Sequence, residues 1–206
     1  MKTVFLHGLG QTSSSWDGTL RELHCGGDAL CPDLKDWASE GEVDYSRLYR
    51  ALEAYCAALE GPLNLCGLSL GGILALQYTI EHPDRVSALA LIGAQYRIPR
   101  GLLRLQNAAF RVMPDTAFLS MGWGKRDVIA LTKSMLSLNF QSDLDKIRCP
   151  VAVLYGEKDS ANRKAALQMK ERIAGAQLHV IPGAGHEANA DAPAALARVL
   201  ETFFAG

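Results

Sequence analysis

The sequence predicts an α/β protein with a mostly or wholly parallel sheet of about six strands and helices on both faces. Two observations carry this. Short apolar segments recur at Thr3 to Leu6, Ala29 to Cys31, Leu63 to Cys66, Val86 to Ile92, Val151 to Tyr155 and Leu178 to Ile181. Stretches with helical spacing lie between them, the alternation that parallel strands joined by crossover helices require. The 206 residues, 49% of them hydrophobic, suffice for one sizeable core, so residues 1–206 are expected to form a single domain.

The helices follow from spacing. Leu48, Leu52, Tyr55 and Leu59 make one apolar stripe, and Leu74, Leu76, Tyr78 and Ile80 mark a shorter, nearly all-apolar helix that should be buried. Ala165 to Ile173 reads as a helix ending at Gly175, and Ala194 to Phe204 as one beginning after Pro193. From Gln95 to Lys146 about fifty residues separate two strand segments, where a crossover needs only one helix. That stretch carries Leu102, Leu103, Leu105, Phe110, Met113, Phe118, Leu119, Met121, Trp123, Met135 and Leu136, broken at Pro99, Pro114 and Gly122. It predicts a helical insertion, residues 95–146, covering one end of the sheet.

Composition excludes several functions. A net charge of −1, with Lys and Arg scattered, provides no basic field for nucleic acid or anionic lipid. The apolar run in M-K-T-V-F-L-H-G is too short for a signal peptide, and no other run approaches a membrane span, so the expected location is cytoplasmic. Cys25, Cys31, Cys56, Cys66 and Cys149 are odd in number and contain no C-x-x-C pair, and no two histidines stand four apart on a helical pattern. Neither a disulfide framework nor a metal or other cofactor is indicated, and the cysteines read as small buried hydrophobes. Nothing in the sequence bears on oligomeric state.

The chemistry centres on Gly67-Leu68-Ser69-Leu70-Gly71, a G-x-S-x-G run between a strand and a helix. A serine at such a turn is held in a strained backbone, and side chains two positions before and after it would collide unless absent. Its hydroxyl then stands above the sheet at a helix N-terminus, where amides and the helix dipole favour a developing negative charge. The base and its orienting carboxylate should follow later strands at the same edge. Val151 to Tyr155 leads into Gly156-Glu157-Lys158-Asp159, and Leu178 to Ile181 into Pro182-Gly183-Ala184-Gly185-His186. Asp159 and His186 are the choices, with Glu157 the close rival to Asp159. His24, His82 and His179 read as structural. The backbone N–H of Leu70 and, from His7-Gly8-Leu9-Gly10, that of Leu9 are the candidate oxyanion donors, with His7 bracing the loop. The Leu9 side chain would face the pocket, and Phe118 and Trp123 would line its roof and contact substrate.

His7-Gly8-Leu9-Gly10, Pro32-Asp33-Leu34, Gly67 to Gly72, Tyr155 to Asp159 and Gly185-His186 together resemble the α/β-hydrolase superfamily over nearly the whole chain. The similarity is closest to small single-domain esterases of the pimeloyl-ACP methyl ester esterase type, which carry a helical cap between the sixth and seventh strands. The resemblance implies a serine hydrolase with Ser69, Asp159 and His186 as triad. It also implies a minimal version, since the H-G loop arrives by residue 7 without the antiparallel hairpin usual in the superfamily. The expected activity is hydrolysis of a small or medium carboxylic ester through an acyl-serine, on a small-molecule ester or thioester, with no nucleic acid or membrane partner. Thioester hydrolysis and acyl transfer use the same residues, and a non-catalytic receptor on this scaffold is the alternative of another class.

Overall fold

The computed structural model describes residues 1–24, 28–38, 43–119 and 123–206, the side chains of Leu102 and Leu119 excepted; Cys25, Met121 and Gly122 lie outside the described residues. The elements run β1 (Thr3–Leu6), α1 (Asp17–Glu22), β2 (Ala29–Leu30), α2 (Tyr45–Ala57), β3 (Leu63–Leu68), α3 (Leu70–Glu81), β4 (Val86–Ile92), α4 (Arg100–Val112), α5 (Thr116–Leu119), α6 (Lys125–Ser134), β5 (Val151–Gly156), α7 (Ser160–Arg172), β6 (Gln177–Ile181), α8 (Ala188–Asp191) and α9 (Pro193–Ala205), with short 3₁₀ turns between some of them. The strands form one sheet in the order β2-β1-β3-β4-β5-β6, and every pair is parallel.

Strand side chains alternate between two cores, as a sheet covered on both faces demands. Val4, Leu6, Leu89, Leu91, Val151 and Val153 enter one core, which α2, α3 and α7 complete with residues such as Leu52, Leu76 and Met169. Phe5, Cys66, Ala90, Ile92, Ala152 and Leu154 enter the other, filled by Trp16 and by Leu196, Leu200 and Phe203 of α9. The second core is rich in alanine, with Ala88, Ala90 and Ala152 on the strands. As its composition predicts, α3 is buried along nearly its full length. Its neighbours α2 and β4 cover it, and Tyr49 of α2 donates its hydroxyl to Glu81 at 2.6 Å.

The start of α7 and the presence of two short helices differ from the sequence expectation for physical reasons. Helix α7 begins at Ser160, ahead of its apolar stripe, because Asp159 caps it and accepts from the Asn162 N–H at 3.3 Å. Helices α1 and α8 escape the spacing pattern because each is a turn or two long. Of the cysteines, Cys56 and Cys66 are buried, Cys31 and Cys149 half-buried, and all four are free thiols. Burial pushes the Cys56 thiol up to about 12 and those of Cys31 and Cys149 to about 11, so they remain protonated packing groups. No helix among the described residues is long and apolar enough to cross a membrane.

The register places the site. Leu6 aligns with Gly67, Leu68 with Ile92, Ile92 with Leu154, and Gly156 with Ile181. The loops after β1, β3, β4, β5 and β6 therefore leave one edge at similar height. The chain goes outward from β1 to β2 and then back past β1 to β3, so β1 and β3 flank the point where strand order reverses, the usual place for a ligand crevice.

Candidate active site

Ser69 lies between β3 and α3 with φ 52° and ψ −113°, the one non-glycine residue at positive φ among the described residues. Such a conformation costs about 1–3 kcal/mol and persists only where the surroundings enforce it. Here the Ser69 N–H donates to the Ile92 carbonyl at 2.9 Å, and the Ser69 carbonyl accepts from Ile73 at 3.0 Å. The flanking glycines let the turn close. A Cβ on Gly67 would stand 2.4 Å from the backbone of Gly71, and one on Gly71 would stand 2.2 Å from the Leu6 carbonyl oxygen. The turn is thus pressed against β1, with Ser69 held up from it.

The loops after β5 and β6 are stitched together: Glu157 N–H donates to Ile181 at 3.0 Å and Lys158 N–H to Ala184 at 2.9 Å. This brings His186 onto Asp159, with Nδ1 and Oδ2 2.9 Å apart. The rival acid is engaged elsewhere, since Glu157 accepts from the Gly183 N–H at 2.8 Å. Asp159 is buried. Burial works to raise its carboxyl, but the hydrogen bonds from His186 and Asn162 together outweigh burial and hold it below the ordinary carboxylate value. Asn162 Nδ2 donates to Oδ1 at 2.9 Å and to Oδ2 at 2.8 Å. The same nitrogen lies 3.0 Å from His186 Nδ1. With the Nδ1 proton directed at the carboxylate, that contact joins two donors and is not a hydrogen bond. Nδ1 is thereby committed to Asp159, which leaves Nε2 as the free basic nitrogen. Gly93, at φ 55° after β4, makes room for the pair: a Cβ there would lie 3.0 Å from His186 Nδ1 and 3.3 Å from Asp159 Oδ2.

Leu70 is the first residue of α3, where amides lack intrahelical acceptors. No turn or loop hydrogen bond among the described residues takes up the N–H of Leu9 or Leu70. The Leu9 loop is fixed from beneath by His7, which is buried. Its Nδ1–H donates to the Gly8 carbonyl at 2.9 Å, and its Nε2 accepts from the Leu34 N–H at 3.0 Å. Both ring nitrogens are consumed by backbone, so His7 braces the loop. Gln11 and Asn189 form a second brace, one with no local sequence pattern: both are buried, they exchange reciprocal amide bonds of 3.1 and 3.2 Å, and Gln11 also accepts from the Gly8 N–H. They tie the loop after β1 to α8, just beyond His186.

A cavity of about 270 Å³ opens over Ser69. Leu9, Ser69, Leu70 and His186 line it on the sheet side, and Leu103, Phe110, Thr132 and Met135 of the segment between β4 and β5 line it opposite. Phe118 and Trp123 do not line it, contrary to the sequence expectation. Both are buried, and Phe118 packs edge-on behind Phe110 with ring centroids 5.6 Å apart, so Phe110 takes the pocket-facing position. Asn162 and Gln95 also line the cavity, and Gln95 Nε2 donates to Asn162 Oδ1 at 2.7 Å. Neither stood out in the sequence, although D-x-x-N at a helix start is a legible capping signal for Asn162. Among the described residues, Glu53, Glu81 and His82 place three possible metal-ligand atoms within 4.8 Å of one another, at the opposite end of α3 from Ser69. Tyr49 and Gln77 already bond Glu81, and His82 bonds Glu53.

A serine on a strained strand-to-helix turn, a His–Asp pair after later strands and free amides beside the serine, all at one edge of a parallel sheet, define the class of α/β hydrolases. The chain belongs to the alpha/beta hydrolase family, whose profile it matches over residues 3–199. It is similar to the pimeloyl-[acyl-carrier protein] methyl ester esterase of Neisseria meningitidis serogroup B / serotype 15 (strain H44/76), at 24% identity over 238 residues covering 96% of this chain and 91% of that protein. Among solved structures, a hydrolase from Pseudomonas aeruginosa PA01 superposes with a TM-score of 0.85 at 21% identity, covering 100% of this chain and 90% of that one. A thermophilic esterase from Thermogutta terrifontis does so at 0.82 and 20% identity, covering 100% and 89%. At such identities the structural likeness speaks for the fold.

Proposed function

We propose that this chain is a serine hydrolase that cleaves a small or medium carboxylic ester through an acyl-Ser69 intermediate. The observation that carries the proposal is the shared cavity: strained Ser69 and His186, itself oriented by buried Asp159, line one apolar space. The name of the Neisseria relative, a methyl ester esterase, supports the same class of bond.

In this mechanism neutral His186 accepts the Ser69 proton at Nε2 as Oγ attacks the ester carbonyl carbon. The oxygen that gains charge is received by the N–H groups of Leu9 and Leu70 and by the N-terminal end of α3. The intermediate collapses, the C–O bond to the alcohol breaks, and His186 returns the proton to the departing oxygen. A water, deprotonated by the same imidazole, then releases the acid and restores Ser69. Asp159, kept ionised, holds the imidazole with Nε2 forward and stabilises the imidazolium. Residues 95–146 act as a cap within one domain, closing the apolar wall over the acyl group and excluding water from it.

The test is steady-state turnover of p-nitrophenyl esters of graded acyl length. Ser69→Ala and His186→Ala should each lower kcat by ~10⁴-fold or more, and the double variant by little beyond either, because the two act as one unit. A folded Ser69→Ala protein that keeps more than about one per cent of wild-type kcat would remove Ser69 from the mechanism.

A further inference from the structure

A second, larger cleft of about 740 Å³ adjoins the cavity over Ser69, and Gln95, Ile98, Pro99 and Ala161 line both. Its charge is one-sided. Arg97, Arg100, Lys164 and Arg172 line it, and no acidic residue does. Lys164, Gln168 and Arg172 form an i, i+4, i+8 row along α7, while Arg97 of the β4–α4 connection and Arg100, the first residue of α4, line the same cleft. None of the four cations forms a salt bridge among the described residues, although the chain holds 22 acidic side chains against 21 basic ones. Elsewhere Lys125, Lys146 and Arg148 each sit beside an aspartate.

Two of these cations are held rather than loose. Arg100 Nε donates to the Leu136 carbonyl at 3.0 Å, which leaves its terminal nitrogens free. The Arg172 guanidinium lies 6.0 Å over the Tyr96 ring, and Tyr96 in turn donates to Gln168 Oε1 at 3.0 Å, leaving the Gln168 amide N–H groups as donors. A concave surface bearing cations of one sign concentrates anions, and a guanidinium is suited to pair a carboxylate or phosphate through two hydrogen bonds.

We infer that this cleft takes an anionic end of the substrate, a carboxylate or a phosphate, while the ester bond lies against Ser69 and the chain between them passes the shared lining of Gln95, Ile98, Pro99 and Ala161. The inference rests on the ester reading and narrows it to esters with an apolar middle and an anionic terminus. Arg97 and Arg172 act as counter-ions for that terminus.

The test is a ratio. Two series of esters, one modified on the acyl side and one on the alcohol side, are prepared with the chain ending in methyl, carboxylate or phosphate and followed by pH-stat. In wild-type enzyme the kcat/KM of the better anionic ester should exceed that of its neutral match at low salt, and the excess should shrink as NaCl is raised. Whichever of carboxylate and phosphate gives the larger ratio identifies the terminus. The Arg97→Gln/Arg172→Gln variant should lower the ratio by about tenfold or more, and Lys170→Gln/Arg198→Gln, which removes the same two charges at exposed positions outside the cleft, should not. A wild-type ratio at or below one in both series, with neutral esters turned over, overturns the inference and leaves the ester reading standing. Calorimetry of the matching anionic amides with the Ser69→Ala protein separates the converse case. Salt-sensitive binding there, without turnover of any ester by wild type, supports the cleft and removes the ester reading.

Discussion

The sheet edge and the helical segment between β4 and β5 both contribute to the cavity over Ser69, but they are built on different physics. At the edge, position is dictated by backbone. Strand register, the pressed turn at Gly67 and Gly71, and the loop stitching around Glu157 and Lys158 place Ser69, Asp159 and His186 with little freedom. In the segment between β4 and β5, position is dictated by side-chain packing among α4, α5 and α6, anchored where Tyr96, Ile98, Leu138 and Phe140 pair at its two ends. Backbone constraints tolerate almost no substitution at the residues that impose them. Packed apolar surfaces tolerate many, with graded effects. Chemistry should therefore fail abruptly when the edge is altered, and selectivity should drift when the helical segment is.

The largest effect that sharpens this contrast is expected at Asp159. Asp159→Asn should lower kcat by about 10⁴-fold with the fold retained, because an amide can no longer hold His186 with Nε2 free. The same residue carries a pH signature. Its folded carboxyl lies below the ordinary value, so its stabilising contribution is present above the unfolded value of about 3.9 and is lost as pH falls through the lower folded value. Urea midpoints measured from pH 7 downward should fall less steeply in Asp159→Asn than in wild type. Parallel curves would show that the hydrogen bonds from His186 and Asn162 contribute nothing to stability.

Next in size is Asn162→Ala, which removes both donations to the Asp159 carboxylate. Two lost bonds to a charged acceptor are of the order of a 10- to 100-fold loss in kcat, with KM for a short neutral ester little changed. A loss confined to KM would make Asn162 a pocket wall and not a positioning residue. Smallest are the effects in the helical segment between β4 and β5. Phe110→Ala and Met135→Ala should shift the preferred acyl length while changing kcat for an acetyl ester only a few-fold, since both line the cavity away from the reacting atoms. Phe118→Ala, one layer further back, should cost about 3–5 kcal/mol of stability and leave the chain-length profile in place. If the profile moved with Phe118 and not with Phe110, the pocket wall would have to be reassigned.

The same division explains what the sequence made legible. Strands β1 and β4 are bounded where the apolar runs predict, because a buried parallel strand is written as a continuous apolar segment. Ser69 was visible because the glycines its turn needs are themselves sequence symbols. The order of Asp159 and His186 after later strands was visible because loops at one sheet edge must converge. The choice of Phe118 and Trp123 went astray because a run of large apolar residues does not encode which side chain faces a cavity and which faces a neighbour; that is decided by how α4, α5 and α6 pack, and Phe110 won the position. Gln11 and Asn189 were invisible for a related reason. A reciprocal amide pair across 178 residues has no local pattern.

The central claim, that Ser69 is the nucleophile poised by His186, is tested most directly by covalent trapping. Wild-type protein treated with a fluorophosphonate and digested should yield a single adduct mapped to Ser69 by tandem mass spectrometry, with loss of ester turnover in proportion to labelling. Prior His186→Ala substitution should slow labelling by orders of magnitude, because the hydroxyl then lacks its base. An adduct at any other residue, or full labelling at an unchanged rate in His186→Ala, would contradict the account.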